Sequence, residues 1–225
     1  MINRSQFELI KKKYGHYASW AIWADEKEKP KDNMGDLSVF DFNINAALLS
    51  QLKPDIVLVG LNISQGIPST LANFHGPGGG AYKIRYALRN SPFWGAYMTD
   101  IIKDFDQKAS GKVMRYLRNN KKFEEENVKV FREELNDLEV NNPTIVAFGN
   151  DAHAILYRNF KSEFKIFKIT HYSHYIPKEK YREEVKSILC FNQTPTENET
   201  QYKLTITMAT GPAMVPWGQV LFLAF

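Results

Sequence analysis

The run Ile56-Val57-Leu58-Val59 carries no polar side chain. A strand with one face in water alternates apolar and polar positions, so an unbroken apolar run needs cover on both faces, as a central parallel strand has. Pro54 stands before the run and Gly60-Leu61-Asn62 after it, which predicts a strand over 55–60. Three more strand-like runs follow, Ala96 to Ile102, Thr144 to Phe148 and Phe164 to Thr170. Helical segments are predicted between them. Tyr82 to Arg89 is one, and Val128, Phe131, Leu135 and Leu138 give helical spacing to 123–138. Gly149-Asn150-Asp151 reads as a cap for a helix over 152–159, and Pro177 opens another that runs to Leu189. Ahead of the first strand, 7–14 and 43–52 also read as helices, and the aromatic stretch Tyr17 to Ala24 as core or as a surface platform. Alternating strands and helices predict an α/β fold, a three-layer sandwich around a central, mostly parallel four-stranded sheet.

A length of 225 residues fits one domain, with its core over about 54–189 and an extension over 191–225 that has no assigned role. In that extension 192–201 reads as a polar linker, and 203–208 and 219–225 as β-like runs. Apolar residues make up 44% of the chain, which excludes a disordered chain. The net charge of +4 permits nucleic-acid binding without demanding it. Cys190 is the only cysteine, so an intrachain disulfide, a Cys-rich zinc site and a four-Cys iron–sulfur cluster are excluded and a reducing cytoplasm is expected. Residues 1–14 lack the apolar centre of a signal peptide, and no run of ~20 apolar residues occurs, so no membrane partner is expected. The chain is expected to act as a monomer without a cofactor.

In an open α/β sheet, loops leaving the carboxyl ends of the strands form the ligand crevice. Gly60-Leu61-Asn62-Ile63-Ser64 leaves the first strand and His171-Tyr172-Ser173-His174-Tyr175 the last. An Asn and a His meeting there suit chemistry on a buried polar ring. The alternatives are plain ones. Asn62 could satisfy its own turn, and His171 could be a strand-end ring held by a backbone carbonyl. His171 and His174 have a metal-pair spacing but no evident third ligand, so no metal is expected.

These segments resemble the uracil-DNA glycosylase superfamily. Its Gly-x-Asn motif matches Gly60-Leu61-Asn62, and its His-x-Ser motif matches His171-Tyr172-Ser173. Gly95 to Asp100 resembles the strand that ends in a base-reading polar residue, and Val146 to Ala152 the strand–Gly–helix segment. The resemblance spans about 54–189. Two positions depart from it: Ile63-Ser64 stand where the family often has a Pro, and Tyr172 stands where it has a Pro after the His. The lone Cys190 excludes the branches that carry an iron–sulfur cluster.

The resemblance implies a DNA glycosylase that flips a base out of the stack and hydrolyses its N-glycosidic bond, leaving an abasic site. Asn62 and His171 would be catalytic. Asn62 would orient water, and His171 would donate a hydrogen bond to the base oxygen where charge develops. Gly60, Leu61, Phe74, Asp100 and Ser173 would surround the base, with Phe74 stacking on it. An ionised Asp only accepts hydrogen bonds and so suits the amino group of a cytosine-type base. Its alternative is a strand-end Asp capping a turn. The Gly76 to Gly80 loop leaves room for an enlarged base, or is simply flexible. Together these point to a modified cytosine, such as phages carry and some superfamily members guard bacteria against, rather than uracil. DNA contact would come from Tyr175 or Ile176 as a wedge and from Lys178, Lys180 and Arg182. Lys112, Arg115, Arg118, Lys121 and Lys122 form a second positive stretch that reads as phosphate contact or as a solvated face. The alternatives are a catalytically silent DNA-binding member of the superfamily, a uracil-excision repair enzyme, and a serine hydrolase using Ser64 or Ser173, which lack a Gly-x-Ser-x-Gly elbow.

Overall fold

The computed structural model describes residues 2–103 and 105–192, with side chains to 188. In chain order the elements are α1 (Arg4–Tyr14), β1 (Ser19–Trp20), a 3-10 turn (Leu37–Phe40), α2 (Leu48–Gln51), β2 (Lys53–Asn62), α3 (Tyr82–Leu88), β3 (Ala96–Ile102), α4 (Ser110–Asn119), α5 (Lys121–Asp137), β4 (Thr144–Phe148), α6 (Gly149–Phe160), β5 (Lys165–Ile169) and α7 (Lys178–Asn192). The sheet order is β1-β3-β2-β4-β5. β2, β3, β4 and β5 pair in parallel, and β1 pairs antiparallel with β3.

The α/β class and the four parallel strands match the expectation; the sheet has five strands, not four. The extra strand is two residues long, too short for any periodicity to show. It is fixed by Trp20, which is fully buried with its ring 5.1 Å from Tyr97. The stretch from Tyr17 to Trp23 is core rather than platform. β2 extends beyond 55–60 at both ends, so Asn62 ends the strand rather than opening a loop. Residues 43–52 form only the short helix α2. Asn45 Nδ2 donates to the Val39 carbonyl and the Asn43 amide donates to Asp41 Oδ1, and such local side-chain bonds compete with a helix. The expected cap at 149–151 is absent: α6 begins at Gly149 with no side-chain cap, and Asn150 Oδ1 accepts from Lys168 Nζ instead. The linker and β-like runs predicted beyond residue 192 lie outside the described residues.

α6 packs on β2, β4 and β5, and α5 on β3 and α1. Residues ahead of 54, among them Phe7, Ile10, Trp20 and Leu48, belong to the same core cluster as Val57, Ile145 and Phe160. Arg85 is buried and pins residues 24–32 by donating to the carbonyls of Ala24, Pro30 and Asp32.

His75 is 1% exposed, with Nε2 bonded to the Trp20 carbonyl and Nδ1 without a partner. Burial pushes its pKa down to about 3, so the ring stays neutral in the native state. The unfolded chain then binds a proton that the native chain does not as pH falls below about 6.5, and stability drops with it. Between pH 7 and pH 5 this group removes about 2 kcal/mol of stability. Urea unfolding of His75→Phe at the two pH values is expected to lack that loss; an unchanged pH dependence would refute the assignment.

Candidate active site

The crossover from β2 to β3 moves to one side of β2, while β4 lies on its other side. In α/β sheets such a divergence is where a ligand crevice is expected, outside the carboxyl ends of β2 and β4. Gly60 to Asn62 end β2 there, and Phe148-Gly149 lies at the β4–α6 junction. Asp100 sits in register with Gly60 on β3, and His171-Tyr172 follows β5.

Asp100 lies within a strand, which removes the turn-cap alternative. It is 3% exposed. Its Oδ2 accepts from Asn73 Nδ2 at 2.8 Å, and the same amide donates to the Tyr17 carbonyl at 2.7 Å. Asn73 Oδ1 accepts from the Phe74 amide, so all sides of the Asn73 side chain are held. Asp100 Oδ1 rests against Gly60, where any Cβ would collide with it; this is why residue 60 must be a glycine. Burial raises the Asp100 pKa to about 6, against the lowering effects of Asn73 and Lys103. A buried acid that changes charge near neutrality in a crevice is a functional candidate.

Three aromatic rings gather beside this carboxyl. Phe74 lies 6.0 Å from Phe148 and 6.4 Å from Tyr172, and Phe148 and Tyr172 meet edge to face at 5.4 Å. Phe74 holds φ of +66°, a left-handed conformation that costs a bulky residue about 1–2 kcal/mol, and its ring tip approaches Gly60. The Phe74 ring packs on the two other aromatics and on the Gly60 end of β2.

His171 is not held by a backbone carbonyl. Its Nδ1 accepts from the Ser173 amide at 3.2 Å and lies 2.7 Å from Ser173 Oγ. An amide N–H facing Nδ1 assigns the bare lone pair to that nitrogen and the ring proton to Nε2. Burial, with His174 nearby, lowers the His171 pKa to about 4, so the ring is a neutral Nε2–H donor at physiological pH. Gly149, at φ +86°, lies beside the ring, and a Cβ there would stand 3.2 Å from His171 Cβ. The His171 and His174 rings are 6.5 Å apart, and no cluster of three metal-ligating side chains occurs among the described residues.

Asn62 is committed to structure. Its Nδ2 donates to the carbonyls of Ile63, Phe105 and Gln107 at 2.8–2.9 Å, tying β2 to the segment after β3. These bonds use only the amide nitrogen. Leu61 belongs to the hydrophobic core, so its side chain is not part of a base pocket.

Among the predicted DNA contacts, Tyr175 is fully exposed, Ile176 is half-buried and Lys180 is exposed. Arg182 is instead a packing residue. Its guanidinium stacks 3.6 Å above the Tyr86 ring centroid and donates to the Tyr86 carbonyl. Lys178 covers the same ring at 4.5 Å.

The sequence reading missed Lys83. It is 8% exposed, and its Nζ donates to the carbonyls of Tyr172 and His174, one on each side of Ser173. Gly80, at φ +87°, lets the Tyr172 carbonyl approach where a Cβ would stand 2.7 Å from it. The glycine loop and α3 therefore hold the His171 loop in place.

The chain matches no protein-family model, no curated protein and no solved structure. The site must be read from its own geometry. A cleft of about 460 Å³ lined by Asp25, Lys53, Arg89 and Trp94 lies at the amino end of the parallel strands, away from these residues. Its charges are already engaged: Arg89 pairs with Asp25 at 2.8 Å, and Lys53 donates to the Pro92 carbonyl.

Proposed function

We propose that the protein is a monofunctional DNA glycosylase of the uracil-DNA glycosylase type, a cytoplasmic monomer with the three-layer architecture of that superfamily. Its substrate is a cytosine-type base, including the modified cytosines of phage DNA. One observation carries the reading. A neutral His171 with its proton on Nε2 and a buried Asp100 beside three aromatic rings belong to the same end of the sheet.

The base leaves the stack, stacks beside Phe74, and donates a hydrogen bond from its amino group to Asp100 Oδ1, keeping the proton. As the N-glycosidic bond breaks, the bonding pair moves to the base, and His171 Nε2–H stabilises the negative charge growing on the base oxygen. Water adds to the sugar carbon and loses its proton to solvent. Asn62 has only its Oδ1 left to orient that water, and an amide oxygen is too weak a base to deprotonate it. The path is therefore dissociative. Tyr175, projecting from the His171 loop, fills the gap in the stack.

Asp100→Asn replaces an acceptor with a group that also donates. Release of an amino-bearing base is expected to fall by about 10–100-fold relative to release of uracil. Wild-type release is expected to fall as pH drops through about 6, because the protonated acid no longer accepts, and Asp100→Asn is expected to lack that limb. A kcat/KM profile that keeps the limb in the variant would assign it to another group.

The second reading is a superfamily member that binds DNA without cleaving it. The use of the Asn62 amide in three structural bonds favours it. Release and binding assays on wild type and Asn62→Ala separate the two: binding without release in both proteins selects the second reading.

A further inference from the structure

We infer that α4 is a second DNA-binding element, one that grips the phosphate backbone beside the flipped base; the inference deepens the reading above and rests on it. α4 lies between β3 and α5 in the chain, and both its ends are fastened at the carboxyl end of β3. At its start, Asn62 on β2 holds the Phe105 and Gln107 carbonyls, and Gln107 Oε1 accepts from the Ala109 amide that precedes the helix. Along its length, Tyr116 stacks on Phe105 at 4.6 Å. After its end, α5 returns at once: Phe123 meets both rings, and Asn127 Oδ1 accepts from the Lys103 amide just past β3. The helix therefore belongs to the end of the sheet that carries Asp100 and the Gly60 motif.

Every charged residue on its exposed face is basic. Val113 and Leu117 are buried, while Lys112, Arg115 and Arg118 are exposed. At ~100° per residue the three cations span an arc of about 120° centred opposite the buried stripe. Lys108, Lys121 and Lys122 flank it, and no acidic residue occurs from 107 to 123. Among the described residues, none of Lys112, Arg115 and Arg118 is paired with a carboxylate, whereas Arg132, Arg158 and Lys186 are. An uncompensated row of cations on one helix face is an electrostatic footprint for a polyanion.

The sheet geometry makes duplex DNA the fitting one. β3 and β5 stand three strand spacings apart, about 14 Å, or roughly four base-pair steps. A duplex lying across the carboxyl ends with its flipped base at Asp100 would meet the Tyr175 loop on one flank and α4 on the other. In this arrangement Asn62 acquires a clear purpose: it fixes the DNA-gripping helix to the strand that forms the pocket floor.

The test is the triple variant Lys112→Gln/Arg115→Gln/Arg118→Gln, read by binding to a 20-base-pair duplex over a salt series. Its control removes the same charge at Lys12, Lys27 and Lys29, exposed lysines on other segments. Thermal unfolding checks that both variants fold. The α4 variant is expected to bind at least about 10-fold more weakly, with the slope of log K against log salt smaller by about 3, since each lost phosphate contact removes ~0.9. The control is expected to stay near wild type. Where base is released, kcat/KM is expected to fall in the α4 variant while the single-turnover rate at saturation holds. Equal binding by the α4 variant and the control would overturn the inference and leave the glycosylase reading standing. Weakened binding by the α4 variant with no base release from any substrate would uphold it while the glycosylase reading fails. Wild type that does not bind duplex DNA would overturn both.

Discussion

Replacing His171 by Ala is expected to slow base release by about 10²–10³-fold while leaving DNA affinity within a few-fold of wild type. Neutrality and tautomer give the effect its size. With Nδ1 facing the Ser173 amide, the only ring proton sits on Nε2. With the pKa lowered to about 4, the ring stays neutral throughout the physiological range. A neutral donor interacts weakly with a neutral base in the ground state and strongly with the anion that departs, so its contribution appears in kcat rather than in binding. The loss should be constant from pH 5 to pH 9, because the ring does not change charge there. Ser173→Ala retains the backbone N–H that faces Nδ1 and should cost far less than His171→Ala. If His171 instead served as the base of a serine nucleophile, Ser173→Ala would abolish activity as fully as His171→Ala. The 2.7 Å contact with Ser173 Oγ allows that geometry, but no carboxylate orients the ring among the described residues.

Lys103→Met is expected to destabilise the fold by about 3–5 kcal/mol. Lys103 is 2% exposed and Glu134 0% exposed, and the two form an ion pair behind the sheet. Lys103 Nζ also donates to Thr99 Oγ1 and to the Asp100 carbonyl, and it stands 4.7 Å from the centre of the Tyr17 ring. Tyr97 donates to Glu134 Oε2, and burial together with Glu134 pushes the Tyr97 pKa far up, so it remains a donor. Removing the cation strands a carboxylate with one hydroxyl for company. Removing both charges together, as Lys103→Met/Glu134→Leu, should recover most of the loss. Urea unfolding of the two singles and the double measures this directly, and simple addition of the single losses in the double would refute the pairing. The cluster also reaches the site. Lys103 favours the charged form of Asp100 and Glu134 disfavours it, so losing the cation moves the Asp100 pKa above about 6. Asp100 itself runs opposite to His75. Its native pKa is raised, so the native state holds a proton that the unfolded chain has released between about pH 4 and pH 6, and its contribution to stability shrinks as pH rises through that window.

The strands were legible because burial on both faces leaves an unbroken apolar run, and β3 and β4 match their predicted limits. His171 could be singled out because it follows such a run, and Asp100 because it stands at the base-reading position of the resemblance. Their supports left no comparable signal. Lys83 looks like any helix lysine, yet it shares the buried face of α3 with Ile84 and Ala87 and spends its charge on two loop carbonyls. Asn73 precedes Phe74 in a loop, and only the fold reveals that it fixes Asp100. Arg182 read as a phosphate contact from its place in a basic helix, but a planar guanidinium stacks well on an aromatic face, and Tyr86 supplies one. Asn62 was found for its motif, while two of its three carbonyl partners, Phe105 and Gln107, lie in a segment some forty residues away. A sequence places residues on elements. It does not reveal which long-range carbonyls will need a donor.

The central claim is that this crevice breaks the bond between a cytosine-type base and its sugar. The most direct measurement is release of free base, detected by mass under single-turnover conditions, from duplexes carrying uracil, hypoxanthine or hydroxymethylcytosine and from glucosylated phage DNA. Release of a cytosine-type base, leaving alkali-labile abasic sites and absent in His171→Ala, is the predicted result. No release of any base by a protein that binds the same duplexes would contradict it and leave a DNA-binding protein without glycosylase chemistry.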